Sequence, residues 1–256
     1  MLDGDDKRPS ITLATSTTVS RLSNFQRVDY EGAVEELLLV QGSVESHSAD
    51  CTDLGADLRV VYLEDFGVAK SRNQAIHECE TELLIFSDDD TVVLKESVLE
   101  VQREFEESPD IDFLLLRSAD FSGRLRKRYP RSGRRASLFN SGRYGTIELA
   151  VRAGRVKQAG VEFDTRFGAG AEWPLGDEYL FIAAMLRHSL KGRHSSIVIA
   201  SHDKFSSGLI ASPEMMESRR QVFRCVFPVS HRILYPLSRL RTRLRSVSER
   251  FLEALR

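Results

Sequence analysis

The sequence has little cysteine, no long apolar run and almost no net charge, and each of these absences excludes a class of protein. Three cysteines, Cys51, Cys79 and Cys225, are too few and too scattered for a disulfide framework or a zinc site, and they indicate reduced thiols of a cytosolic protein. No apolar stretch approaches the length that spans a bilayer, and the polar start MLDGDDKRPS does not have the pattern of a signal peptide. The net charge of −2 argues against a general nucleic-acid binder.

Apolar runs of strand length alternate with helical patterns along the chain. The predicted strands are Ile11–Thr15, Leu37–Val40, Leu58–Leu63, Leu83–Phe86, Ile111–Leu116 and, much later, Ser196–Ala200. Strands that alternate with helices at this spacing predict βαβ units. With 256 residues and a hydrophobic fraction of 41%, the chain is long enough for one α/β domain, built on a mostly parallel sheet flanked by helices.

The stretch TELLIFSDDDT, Thr81–Thr91, combines a short apolar run with three consecutive carboxylates. Such a run predicts a buried parallel strand that delivers Asp88, Asp89 and Asp90 to the carboxyl edge of the sheet, where open α/β sheets bind ligands. Because adjacent carboxylates repel one another and hard cations take oxygen ligands, the cluster indicates a divalent-cation site. The alternative is an N-cap for a helix that starts at Thr91.

Three further motifs follow a fixed order around this strand. They are Gly67-x-x-x-x-Arg72-Asn73 at a helix entrance, Asp177-Glu178 at the start of an apolar helix, and His202 after the last strand. Taken singly, each has an ordinary explanation: a helix start, a favourable helix dipole or a surface histidine. Their order and spacing favour a common site.

That order resembles the family 2 glycosyltransferases, inverting enzymes with a GT-A fold. The matching segments cover about Ile11–Gly208 and are ITLAT, LLLVQGS, GVAKSRNQAI, LLIFSDDDT, FDTRFGAGAEWPLGDEYLFI and ASHDKFSSG. The resemblance implies a GT-A (Rossmann-like), mostly parallel mixed sheet and a nucleotide-sugar donor, with a UDP-sugar as the first expectation.

The resemblance also implies how the acids act. Asp88 and Asp90 would flank the donor and, with His202, hold Mn²⁺ or Mg²⁺ against the departing diphosphate, and Asp89 would be the spare acid facing the helix start. Lys70, Arg72 and Asn73 lie at a helix entrance, where nucleotide phosphates bind well.

The acceptor hydroxyl needs a general base, and the family's Gly-Glu-Asp pattern is present here with its acids interchanged, as Gly176-Asp177-Glu178. Alignment puts Glu178 at the base position, whereas Asp177 keeps the aspartate; Asp177 is the first choice and the alternative stays open. Trp173 either stacks on an acceptor sugar or packs within the protein.

The nucleoside pocket is assigned to Thr15, Gln41 and Ser43. Many relatives have an aspartate where this chain has Gln41, so the nucleotide is not fixed by this position.

The domain boundaries follow from the same pattern. Residues 1–214 would form the GT-A domain, with a nucleotide-binding half at about 10–117 and an acceptor-binding half at about 144–210. The Arg-rich stretch between them, 117–143, is either a lid or disordered. Residues 215–256 would form a basic helical tail, broken at Pro228 and Pro236, which either lies on anionic lipid or packs against its own domain or a homodimer partner.

The sequence thus predicts a metal-dependent inverting glycosyltransferase that acts on a glycan or lipid-linked acceptor, in bacterial surface polysaccharide synthesis, in the cytoplasm or on the inner face of the membrane. No nucleic acid is expected as a partner. Two alternatives remain: a nucleotidyltransferase, disfavoured because TSTTVSRLSN lacks a glycine-rich phosphate loop, and a non-catalytic scaffold or nucleotide-sugar-binding protein on a degenerate domain.

Overall fold

The computed structural model describes residues 9–25, 27, 30, 34–42, 58–202 and 212–238. Within these ranges, Cys79 and Cys225 are free thiols, and no helix is both long and apolar enough to cross a membrane. Cys51 and Ser43 lie outside the described residues.

The fold is a mixed eight-stranded sheet flanked by helices. The strands are β1 Ile11–Thr18, β2 Val34–Gln41, β3 Arg59–Leu63, β4 Leu83–Asp88, β5 Thr91–Val93, β6 Phe113–Ala119, β7 Leu149–Arg152 and β8 Gly192–His202. The α-helices are α1 Val68–Glu78, α2 Lys95–Glu106, α3 Ala153–Gln158, α4 Asp177–Arg187 and α5 Pro213–Val226. The described residues also include the 3₁₀ turns Val19–Asn24 and Thr146–Glu148 and a helical segment at 231–238.

The strands lie in the order β3-β2-β1-β4-β7-β6-β8-β5. The pairs from β3 to β4 are parallel, as is β6 with β8. The pairs β4–β7, β6–β7 and β5–β8 are antiparallel. The predicted mostly parallel mixed sheet is therefore confirmed.

Strand β4 fits the sheet because both of its faces are apolar and both are covered. Leu84 and Phe86 belong to the core cluster on one face, where the rings of Phe163 and Phe181 stack with centroids 3.9 Å apart. Leu83 and Ile85 belong to the cluster on the other face, which includes the buried side chains of α2. Successive strand residues point to opposite faces, so a continuous apolar run is required here.

The helix expected from Thr91 begins only at Lys95, because the three residues of β5 pair antiparallel with β8, with Thr91 opposite His202. This pairing brings the end of the acidic cluster next to the histidine of β8. Pro236 was expected to break the tail, but it lies inside the helical segment 231–238.

The Arg-rich stretch after β6 has no regular helix but is anchored at a buried carboxylate. Glu148 accepts hydrogen bonds from Lys127 Nζ at 2.7 Å, from Ser118 Oγ at 2.5 Å and from the Tyr129 hydroxyl. These bonds join the middle of the stretch to β6 and to the turn before β7. Its irregular backbone is therefore held in one place by tertiary contacts.

A second anchor of this stretch is His194 on β8, which is fully buried. The Tyr144 hydroxyl lies 2.8 Å from its Nδ1, and its Nε2 lies 2.9 Å from Asn140 Oδ1, so this network suits a neutral imidazole with its proton on Nε2. Burial, reinforced by the charges of Arg134 and Arg143, lowers the pKa of His194 to about 4.

We expect His194 to make stability fall in mildly acidic solution. The contribution of neutral, buried His194 to the free energy of unfolding is fully present above pH 6.5, which is about the pKa of histidine in the unfolded chain. It is lost as the pH falls toward 4, because over this range only the unfolded chain takes up the proton. At pH 5 the loss should be roughly 2 kcal/mol in the free energy of unfolding. Urea unfolding at pH 7.5 and pH 5 should show a smaller difference in His194→Gln than in wild type. His188→Gln, a change at an exposed histidine, should keep the wild-type difference; an unchanged difference in His194→Gln would refute the assignment.

Candidate active site

The carboxyl edge of β1, β2 and β4 opens into a cleft of about 1110 Å³. In the parallel register, Ser16 of β1 lies beside Asp88 of β4. Asp88, Asp89 and Asp90 line this cleft, and so do Asp177 and Glu178. The structure thus brings together both groups of acids that the sequence assigned to one site.

The three aspartates have different partners. Asp89 is buried, where its carboxylate accepts a hydrogen bond from Thr17 Oγ1 at 2.6 Å and lies 2.5 Å from Arg21 Nη2. Burial raises the pKa of Asp89, although the Thr17 hydrogen bond and the Arg21 charge oppose that shift. Asp89 is therefore held toward β1 and the turn that follows it, not toward the start of α2.

Asp90 forms an ion pair with His202, which lies beside it because strand β5 pairs with strand β8. His202 Nε2 lies 3.1 Å from Asp90 Oδ1, and Arg21 Nη2 lies 3.2 Å from Oδ2. The hydrogen bond from His202 lowers the pKa of Asp90 to about 2 against the effect of burial, and the charges of His202 and Arg21 act in the same direction. Asp90 is thus ionised across the physiological pH range.

Arg72 links the two groups of acidic residues. This buried side chain on α1 donates to Asp177 and, at 3.4 Å, to Asp88 Oδ1. Burial opposes its charge, but the carboxylates of Asp177, Asp88 and Glu178 outweigh burial and raise the pKa of Arg72. Arg72 was predicted to hold phosphate; in this structure its guanidinium is occupied by carboxylates.

The acid pair at the start of α4 is divided between a buried and an accessible member. Asp177 lies beneath Gly168, where a Cβ would come within 2.9 Å of its carboxyl carbon, and bonds to Arg72. Glu178 keeps partial exposure to the cleft. Burial and the nearby charge of Asp177 raise the pKa of Glu178 to about 8, although Arg72 lowers it.

Gly176, just before the pair, adopts a left-handed conformation with φ of 99°. A Cβ there would lie 2.3 Å from a methyl carbon of Val222 on α5. Both the backbone angle and the contact require glycine at this position. Helix α5 therefore presses directly on the turn that presents Asp177 and Glu178.

The remaining predicted residues differ in their access to the cleft. Gln41 lines it, and its Oε1 accepts a hydrogen bond from the Gly67 amide at 2.7 Å. Thr15 is buried and does not line the cleft.

The two remaining residues predicted at the entrance of α1 do not line the cleft either. Asn73 is buried and exchanges hydrogen bonds of 2.9 and 2.7 Å with the backbone of Phe163. Lys70 pairs with Asp65 at 2.9 Å and is not among the cleft residues.

Trp173 belongs to an apolar cluster with Phe167 and does not line the cleft. Its backbone carbonyl accepts a hydrogen bond from the Gly168 amide at 2.8 Å. The structure therefore places Trp173 where packing, the alternative to sugar stacking, accounts for it.

Sequence reasoning missed several cleft residues. Arg21 follows β1 in a 3₁₀ turn, and no sequence motif marks it. Arg126 and Arg143 come from the anchored Arg-rich stretch, Tyr144 follows directly after it, and Phe223 comes from α5. The excess of arginine after β6 was the sequence signal that could have identified Arg126 and Arg143 as cleft residues. The sequence of α5 contains no such signal for Phe223, because the contact of α5 with the site depends on tertiary packing.

The residue types at Asp88, Asp90 and His202 fit a hard or borderline divalent cation, since carboxylate oxygens and imidazole nitrogen are suitable ligands. In the described part of the chain, no three His, Cys, Asp or Glu side chains are gathered closely enough to form a metal-ligand group. Asp90 contacts His202, whereas Asp88 contacts Arg72. Binding of a cation would therefore require these side chains to exchange partners.

Solved structures with the same fold include TarS 1–349 from S. aureus in complex with UDP-GlcNAc, at 17% identity and a TM-score of 0.58 over 84% of this chain and 66% of that one. The same protein in complex with UDP has 19% identity and a TM-score of 0.56 over 85% and 64% of the two chains. The mannosyltransferase PcManGT from Pyrobaculum calidifontis, in complex with GDP-Man and Mn²⁺, has 14% identity and a TM-score of 0.56 over 89% and 65%.

This chain thus spans slightly less than two thirds of each of these structures, and identities this low establish the fold alone. No curated protein sequence matches the chain. The model of the family described as "Glycosyl transferase family 2" matches residues 27–164, which are more than half of the sequence. Together with the GT-A architecture and the two groups of acids that line one cleft, this match identifies the chain as a member of glycosyl transferase family 2.

Proposed function

We propose that this protein is a metal-dependent, inverting glycosyltransferase that moves a sugar from a nucleotide-sugar donor, preferably a UDP-sugar, to a glycan or lipid-linked acceptor of a bacterial surface polysaccharide. The observation that carries the proposal is the cleft, which is lined by both Asp88–Asp90 and Asp177-Glu178 and in which Arg72 links Asp88 to Asp177. The similar structures support it, because those proteins were solved in complex with UDP, with UDP-GlcNAc, or with GDP-Man and Mn²⁺.

The acids of β4 are proposed for the donor side. Asp88, Asp90 and His202 would hold Mn²⁺ or Mg²⁺, which when bound supplies Lewis-acid neutralisation of the leaving diphosphate. Asp89 stays bonded to Thr17 and fixes the strand end from which Asp88 and Asp90 project. Gln41 at the end of β2 offers its amide to the nucleoside. The donor half is thus proposed at about 10–117, with the acceptor half at about 144–210.

Glu178 is proposed as the general base, in preference to the aspartate favoured from the sequence. Asp177 is buried and bonded to Arg72, so its role is to position Arg72 and the helix start. Glu178 has access to the cleft. Its carboxylate would take the proton of the acceptor hydroxyl while that oxygen attacks the anomeric carbon. The bond to the diphosphate breaks with its electron pair leaving on the diphosphate, and the configuration inverts.

The first prediction concerns ligand binding. UDP or a UDP-sugar with Mn²⁺ should raise the melting temperature by several degrees, because a ligand at about 100 times its Kd adds about 2.7 kcal/mol to the free energy of unfolding. A thermal-shift screen of nucleotides and nucleotide sugars, with Mn²⁺ or with EDTA, measures this. If no nucleotide or nucleotide sugar raises the melting temperature, either with Mn²⁺ or with EDTA, the alternative of a non-catalytic scaffold is favoured.

The second prediction concerns the metal acids. Asp90→Asn should abolish the part of the nucleotide shift that depends on Mn²⁺, because the amide is a poorer ligand for a hard cation. Asp110→Asn, a change to an exposed aspartate that does not line the cleft, is the control and should leave the shift unchanged. Full Mn²⁺-dependent turnover in Asp90→Asn would contradict the metal assignment.

The third prediction separates the two candidate bases. Glu178→Gln should lower kcat by about 10²–10⁴-fold while keeping the nucleotide thermal shift. Asp177→Asn should instead lower the free energy of unfolding by about 3–5 kcal/mol, because it removes the charged partner of the buried Arg72 guanidinium. Glu172→Gln, an exposed neighbour, is the control for both.

The wild-type rate should rise with pH through about 8, because the base must be ionised and the pKa of Glu178 is raised to about 8. Formation of product with the donor's anomeric configuration reversed is the test of inversion. A Glu178→Gln enzyme with normal kcat, alongside an inactive but folded Asp177→Asn, would restore Asp177 as the base.

A further inference from the structure

A stripe of exposed apolar side chains begins in the turn 228–230 and continues along the helical segment 231–238. Val229, in the turn, is 94% exposed, and Ile233 and Leu237, in the segment, are 67% and 55% exposed. The four-residue spacing of Ile233 and Leu237 places these two on one side of the segment. Phe139, from the Arg-rich stretch, is 79% exposed and stacks on Phe227 with ring centroids 5.3 Å apart. Adjacent large apolar side chains exposed to this degree mark a contact surface.

The stripe is held in a fixed position relative to the active site. Arg187 at the end of α4 donates to the carbonyls of Cys225 and Val226 at 2.9 and 2.7 Å and so fixes the end of α5. The Tyr235 hydroxyl donates to the Met216 carbonyl at 3.0 Å, which folds the segment 231–238 back on α5. Leu237 also lines the cleft, so the stripe borders the cleft entrance.

The surroundings of the stripe are basic. Arg220, Arg224 and Arg232 are exposed on α5 and on the segment 231–238. From residue 212 to residue 256 the sequence contains ten arginines against four glutamates, although the whole chain has a net charge of −2. Positive charge is therefore concentrated in the part of the chain that carries the apolar stripe, which is complementary to an anionic lipid surface.

We infer that Val229, Ile233, Leu237 and Phe139 form a membrane-contact surface, which inserts among anionic lipids and holds the cleft entrance against the bilayer. This deepens the proposed function, on which the acceptor part of the inference rests: an acceptor sugar carried on a lipid would present its head group at the cleft. The binding of the chain to lipid is independent of that function.

The test is sedimentation of the full chain with vesicles of phosphatidylcholine, alone or with about 30 mol% phosphatidylglycerol. Wild type should bind the anionic vesicles and retain part of the binding at high salt, because apolar insertion is not screened. Val229→Ser/Ile233→Asn should weaken the partition coefficient about tenfold. Phe121→Ser is the matched control, because this residue is 66% exposed but lies outside the stripe. It should bind like wild type.

Wild-type binding to neither vesicle, or equal binding by the double variant, would overturn the inference. The inference would also be overturned if the wild type formed a dimer in light scattering and did not bind vesicles, and if the double variant were a monomer. The stripe would then be an interface between two copies of the chain. The nucleotide thermal shift, measured in the same variant, tells the two proposals apart. Loss of vesicle binding with a normal UDP and Mn²⁺ shift supports the membrane surface. A wild type that binds vesicles but shows no nucleotide shift refutes the proposed function alone.

Discussion

The buried guanidinium of Arg72 is the interaction on which the site depends. It lies between Asp88, at the end of β4, and Asp177, at the start of α4, and these two residues are distant in sequence but line the same cleft. A buried charge is stable only with its partners in place, and loss of one partner costs about 3–5 kcal/mol. The positions of Asp88 and Asp177 are therefore linked through one side chain, and neither can shift freely without the other.

The same principle explains how irregular backbone is kept in place around the cleft. The stretch after β6 contains no α-helix and no extended strand, yet Glu148 and His194 bind it at two separate points through buried hydrogen bonds. Both groups are fully buried, so each would carry the cost of an unsatisfied polar atom if its partners were lost. Arg126 and Arg143 consequently reach the cleft from a segment with little intrinsic structure of its own.

The sequence predicted those parts of the fold that depend on local patterns. The apolar run Leu83–Phe86 identified a doubly covered strand, and the order of the motifs placed the acids at one edge of the sheet. The parts that could not be predicted depend on contacts between distant residues. The strand β5 is only three residues long and exists because β8 pairs with it. Arg21 reaches the aspartates from a 3₁₀ turn without a motif, and the difference between Asp177 and Glu178 arises from burial under Gly168, which alignment cannot show.

The contact between Val222 and Gly176 has a consequence for how enzymes of this architecture can be recombined. The residues that present the proposed base belong to α4, but the space above their turn is filled by a side chain of α5, 46 positions later in the sequence. The region around α4 therefore cannot be exchanged alone between relatives without disturbing this contact. A chimera would have to carry α5 with it, because a foreign helix would either leave a void over Gly176 or press the turn out of place. In this protein α5 and the turn that presents Asp177 and Glu178 pack as one unit.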